Sequence, residues 1–178
     1  MFSPLTWEET KLRQGQLQRY LLKLHKKKIF TDADYAFVYP RGSNIGKIYG
    51  LPKTHKLTSV NKKLKLRPII SSISTYNYNL AQYLCKKLSP HIPKQYSTRD
   101  TFTFVNDISE IDSKDKFMIS FDVSSLFTNI PLAETVDIAI QLLLDNEPGL
   151  GMSREELVTL FEFATAKSHF LFNDLRSN

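Results

Sequence analysis

Near the N-terminus, Leu17, Tyr20, Leu21 and Leu24 recur at the spacing of one helical stripe. Thr6-Trp-Glu-Glu9 has the form of a capping box, so a helix is expected to start there. It should fade at Lys26-Lys-Lys28, whose charge suits a helix C-terminus. Thr31 to Asp34 resembles a second short cap, and Tyr39-Pro-Arg-Gly-Ser-Asn-Ile-Gly46 is turn chemistry. Lys47 to Leu51 and Leu66 to Ser72 read as short strands around a basic loop, Pro52 to Lys65, which together make a hairpin. Asn79 to Ser89 is helical, with Leu80, Leu84 and Leu88 on one face, and Pro90 and Pro93 end it. A further helix begins at Asp100, with Phe104, Val105, Ile108 and Ile111 expected to face inward. Lys116 to Val123, short, apolar and β-rich, reads as a buried strand. Pro131 suits the first turn of a helix running through Ile138 and Leu142 to about Asp145. Pro148-Gly-Leu-Gly151 is a linker. Ser153-Arg-Glu-Glu156 is a second capping box, opening a helix to about Lys167, and Phe170-Leu-Phe172 is a last strand. Helices mixed with few strands, without a repeating βαβ order, predict the α+β class.

The charge distribution adds a partner class. The chain has 178 residues, enough for one domain or a piece of a larger protein, and 42% of them are hydrophobic, so a core is feasible. The net charge is +6. From Tyr35 to Arg99 there are 12 Lys or Arg and no acid, whereas from Asp100 onward 14 acids face 5 bases. A split this sharp points to a surface that tracks phosphates, joined to a part with different work; a solvated basic face is the plainer alternative. Cys85 is the single cysteine, which excludes a disulfide framework and reads as a small core residue. His25, His55, His91 and His169 lack ligand spacing. No signal peptide and no membrane-spanning stretch is evident, so an intracellular location, without a membrane partner, is expected. There is no internal repeat.

The chemistry concentrates in Ser120-Phe-Asp-Val-Ser-Ser-Leu-Phe-Thr-Asn-Ile-Pro131. A carboxylate at the end of a buried strand, Asp122, costs several kcal/mol unless something pairs with it, and a divalent metal would do so. A strand-end Asp capping the next turn is the bland alternative. Phe127, five residues on, reads as plain core, as apolar aromatics after a strand usually are. Tyr76, Tyr78 and Tyr83 suit base stacking, though core packing accounts for them more simply.

Three features stand in order: Tyr49-Gly-Leu-Pro-Lys-Thr-His-Lys56, Arg67-Pro-Ile-Ile-Ser71 and Phe121-Asp-Val-Ser-Ser-Leu-Phe-Thr-Asn-Ile-Pro131. With them the chain resembles the reverse transcriptases of Penelope-like retroelements. The likeness extends to Tyr78-Asn-Leu-Ala81 and Phe170-Leu-Phe-Asn173 and covers nearly everything from about Lys47. Around Asp122 the chain is also similar to the telomerase catalytic subunit. The resemblance implies a right-hand polymerase: an N-terminal helical segment over 1–46, fingers over 47–115 and a partial palm over 116–178. It implies extension of a DNA 3′ end on an RNA template with dNTPs and Mg²⁺, and a nuclear location. By the same resemblance Asp122 is a catalytic metal ligand, with the Val123 carbonyl beside it. Phe127 lies under the sugar, and Lys53 and Arg67 meet the triphosphate. Lys56, Lys62, Lys63 and Lys65 belong to the basic loop that would follow nucleic acid. These residue types suit phosphoryl transfer, which needs positioning and charge neutralisation: two metals about 3.5–4 Å apart, hard oxygen ligands for Mg²⁺, and a bidentate Arg fork for phosphate. Lys53 as an exposed loop lysine and Arg67 as a generic anion partner remain open.

The family's paired aspartates have no counterpart here, and one carboxylate does not hold two metals. The expectation is an N-terminal fragment of a reverse transcriptase, with the rest of the palm and the thumb elsewhere and no activity alone. Phe161, Phe163, Phe170 and Phe172 are then expected to be exposed, and the last strand to lack neighbours. The competing expectation is a non-catalytic basic module that binds RNA or RNA–DNA hybrid.

Overall fold

A computed structural model describes residues 7–52, 54, 66–95, 97–112, 114–123, 126–166 and 170–171. The class is mixed α+β. Helix α1 (Trp7–Lys26) carries Glu8 and Glu9 in its first turn and Lys23, His25 and Lys26 in its last, each complementing the helix dipole. Thr6, the expected cap, lies outside the described residues. Leu17, Leu21 and Leu24 are fully buried, as the stripe requires. Helix α2 (Asp32–Val38) starts where the Thr31 side chain accepts from the Asp34 N–H at 3.1 Å. It meets α1 through stacked rings of His25 and Tyr35, 4.3 Å apart.

Strands β1 (Gly46–Pro52) and β2 (Leu66–Ser71) form the expected antiparallel hairpin, in which Lys47 opposes Ser71 and Leu51 opposes Arg67. Helix α3 (Tyr78–Leu88) follows, then a short 3-10 turn, Ser89–His91. Helix α4 (Thr101–Ser109) begins where Asp100 accepts from the Thr103 N–H at 2.8 Å. A single turn, α5 (Leu126–Asn129), precedes α6 (Leu132–Asn146), whose N-cap is Pro131. Gly151, at φ +64°, turns the chain out of the Pro148–Leu150 segment. Helix α7 (Arg154–Ala164) opens with the full capping box at Ser153 and Glu156. Strand β3 (Phe170–Leu171) pairs in parallel with β1, giving the order β2-β1-β3.

The core lies among the helices. Leu80, Tyr83 and Leu84 of α3 pack with Ile140 and Leu143 of α6 and with Leu157, Leu160, Phe161 and Phe163 of α7. Each such side chain contributes about 1.5–3 kcal/mol on burial. The core therefore draws on all three stretches, 1–46, 47–115 and 116–178. Asn77 is buried at the centre of this packing: its amide donates to the Phe163 carbonyl at 2.9 Å and its carbonyl accepts from the Thr75 hydroxyl. Lys27, in the turn just after α1, bonds Glu156 of α7 at 2.6 Å, and the Tyr20 hydroxyl donates to the Glu156 carbonyl.

Four expectations are corrected. Residues 116–123 are neither strand nor buried: Phe117 is 94% and Phe121 90% exposed. A strand needs a neighbour, and among the described residues nothing pairs with this segment. Helix α4 has no buried residue, and Phe104, Val105 and Ile111 are exposed because no element among the described residues covers them. Phe161 and Phe163 are buried rather than exposed, because α3 and α6 already cover the apolar stripe of α7. For the same reason of an available neighbour, Phe170 is part-buried beside β1; Phe172 lies outside the described residues. Cys85 sits on the outer face of α3 and is exposed, its Sγ 3.7 Å from the Ser89 hydroxyl oxygen.

Candidate nucleic-acid interface

Alternation along β1 puts Lys47, Tyr49 and Leu51 on one face of the hairpin, and the register places Ser71, Ile69 and Arg67 directly across from them. That face carries an exposed ring between two cations, and Tyr49 is half exposed. At its inner end an open cleft of about 550 Å³ is lined by Trp7, Asn44, Lys47, Tyr49, Ser71 and Ile73. Lys11 stands 5.7 Å from the centre of the Trp7 ring, a cation–π distance. The arrangement offers stacking surfaces for bases and cations for phosphates. Lys47, Tyr49 and Trp7 are not among the site residues expected from the sequence, where they stand only in a strand, a motif and a capping box. Period-two alternation within Lys47 to Leu51 was the signal that would have grouped the first two with Arg67.

Arg67 lies exposed on β2, with a side chain that makes no ion pair or hydrogen bond among the described residues. Asp122 and Val123 are exposed in the segment before α5 and likewise make none. The desolvation argument for a metal at Asp122 therefore does not apply to this conformation. Among the described residues no three His, Cys, Asp or Glu side chains converge, so these residues alone do not make a magnesium site. Lys53, Lys56, Lys62, Lys63 and Lys65 lie outside the described residues. Phe127 has its backbone in α5, and its side chain is outside the described set.

Of the tyrosines, Tyr76 and Tyr83 are buried, which settles them as core. Burial pushes the Tyr83 phenol up to about 12, with the nearby carboxylates of Asp34 and Glu147 adding to the effect. Burial also raises Tyr76, against the opposing pull of Arg13. Tyr78 is part-buried, its hydroxyl accepting from Gln82 at 3.0 Å. A second cleft, about 790 Å³, lies between α2 and α3 and is lined by Phe37, Tyr83, Cys85, Lys86 and Glu147. There Glu147 bonds His91 at 3.0 Å, tying the end of α6 to the turn after α3. No helix among the described residues is long and apolar enough to cross a membrane. Compared with protein-family models, curated proteins and solved structures, the chain matches none.

Proposed function

We propose that the chain is the fingers and the first part of the palm of an RNA-directed DNA polymerase of the Penelope-like kind. The observation that carries this reading is the ordered set of motifs at Tyr49–Lys56, Arg67–Ser71 and Phe121–Pro131, the last of them long and specific. The hairpin supports it by presenting Arg67 and Lys47 on the same face as Tyr49. In this reading Arg67 and Lys53 hold the triphosphate of an incoming dNTP, and Phe127 lies against its sugar. Asp122 is one carboxylate of a magnesium site that needs further oxygen ligands. The test is primer extension on an RNA template by a polypeptide that joins this chain to a complete palm. Asp122→Asn keeps the side-chain shape and removes the charge. A carboxylate anchoring a divalent cation supplies several kcal/mol, so extension should fall roughly a thousandfold. Extension at the wild-type rate would refute the assignment.

A second reading is a basic module that binds RNA or RNA–DNA hybrid and does no chemistry. The acid-free run of 12 cations and the absence of a carboxylate cluster among the described residues favour it. Binding would then weaken steeply with salt, the slope counting phosphates neutralised. Replacing Lys62, Lys63 and Lys65 by Ala should flatten that slope. An affinity that ignores salt would remove this reading.

A further inference from the structure

We propose that residues 116–123 are an interface between two copies of this chain, joined as antiparallel strands about a dyad at Ile119. The segment is the most exposed apolar stretch described. Phe117 and Phe121 stand almost fully in solvent, with Met118, Ile119 and Val123 more than half exposed. None of the hydrogen bonds among the described residues uses its backbone. It contains no proline, and none of its residues has a left-handed backbone, so neither feature bars it from a ladder. An unpaired run of this kind is a template for pairing with another strand.

The side-chain order identifies the occupant. Phe117, Ile119, Phe121 and Val123 alternate with Lys116, Met118, Ser120 and Asp122. Antiparallel pairing centred on Ile119 sets Phe117 against Phe121 of the second copy and Ile119 against itself. On the other face it sets Lys116 against Asp122, at both ends of the ladder. Directly opposed side chains on a sheet are about 4.5–5.5 Å apart at Cβ, close enough for aromatic and ion-pair contacts. Parallel, in-register pairing would instead oppose Lys116 to Lys116 and Asp122 to Asp122. The segment thus complements itself in one orientation only, which is the property a two-fold interface requires. The sheet edges within the chain do not compete. Strand β2 carries Arg67 but no acid to face Lys116, and β3 is only two residues long. Two strands alone are marginal in water, and α4, just upstream, exposes Phe102, Phe104 and Val105 as further apolar surface for the same contact. The interface rests on this pattern and not on the polymerase reading, and because it occupies Asp122, the dimer and a magnesium site on that carboxylate are mutually exclusive states of the segment.

Sedimentation of the 178-residue chain over a range of concentrations tests it. The wild type should dimerise. Lys116→Asp and Asp122→Lys should each weaken the dimer roughly tenfold or more, since two cross-strand pairs become like-charge contacts. The double reversal should restore wild-type association, and the two single variants, mixed, should prefer each other. All three variants change exposed side chains, and circular dichroism checks that the helices persist. As an independent readout, Ile119→Cys in a Cys85→Ser background should cross-link to itself on oxidation, because Ile119 sits on the dyad. A wild type that stays monomeric overturns the proposal. So does a dimer indifferent to either reversal, or a double reversal that fails to restore association.

Discussion

Helices α3 and α4 are of similar length, and both show an apolar face in the sequence, yet one is buried and the other is not. Leu80 of α3 is fully enclosed, whereas Phe102 of α4 is 84% exposed. Their ends differ in the opposite sense. Helix α4 has a side-chain cap, Asp100 accepting from the Thr103 N–H. At the start of α3, Asn77 makes no cap bond and spends its side chain on the Phe163 carbonyl of α7 instead. Local hydrogen bonding thus suffices to start α4, while α3 is held by what surrounds it. The same contrast separates the whole α1–α2–α3–α6–α7 cluster from residues 97–132, where no hydrophobic side chain among those described is buried. Amphipathic periodicity says which face of an element wants cover. It does not say whether a covering element is present.

Paired truncations are the strongest way to break this comparison. Leu80→Ala removes a buried side chain and leaves a cavity, and should cost about 2–5 kcal/mol of unfolding free energy. Phe102→Ala, on the uncovered helix, should stay within about 0.5 kcal/mol of wild type. Denaturant titration under dilute, monomeric conditions measures both. Equal losses would mean that α4 is packed as firmly as α3. The polar anchor comes next in size. Asn77→Ala deprives α7 of a buried donor and should cost about 1–3 kcal/mol in the same assay. A neutral result would show that the Asn77 bond does not tie α3 to α7.

How far the sequence could be read follows from the same contrast. Elements that declare themselves locally were legible. The capping box at Ser153 and Glu156, the Thr31 cap and the hairpin between Lys47 and Ser71 all appear where the residues place them. The Leu17–Leu21–Leu24 stripe is buried as its spacing requires. What failed depended on partners. Lys116 to Val123 has a strand's alternation, but a strand is a relation between two segments, and the second is absent among the described residues. Phe161 and Phe163 were misplaced for the converse reason, since α3 and α6 supply cover that the motif resemblance attributed to other parts of a polymerase. At the candidate site, Arg67 was found from its motif. Its neighbours Lys47 and Tyr49 became visible only through the register across β1 and β2. Asp122 was singled out as a strand-end charge, and its surroundings here are solvent.

Two carboxylates sharpen the comparison most finely, because both are held below the usual carboxylate range, one in each region. Glu156 is lowered first by its hydrogen bond to Lys27, then further by the Ser153 N–H of the capping box. Asp100 is lowered first by the Thr103 N–H. A carboxyl group whose folded value is depressed adds stability that is fully present above its unfolded value, near 4.3 for Glu. That stability is lost as pH falls through the folded value. For Glu156 the bonded groups are Lys27, just past the end of α1, and Ser153, the cap of α7, so protonation should loosen the whole cluster. The urea midpoint should fall as pH is lowered from about 5 toward 3, and Glu156→Gln should remove part of that slope while leaving a lower plateau near neutrality. For Asp100 the partners are the neighbouring Arg99 and the first turn of α4, a helix with no buried residue. Asp100→Asn should leave the global midpoint and its pH slope unchanged, and act only on amide exchange at Thr103 and the residues after it. If instead Asp100→Asn flattens the global acid slope as Glu156→Gln does, α4 unfolds with the core, and the two regions are one cooperative unit.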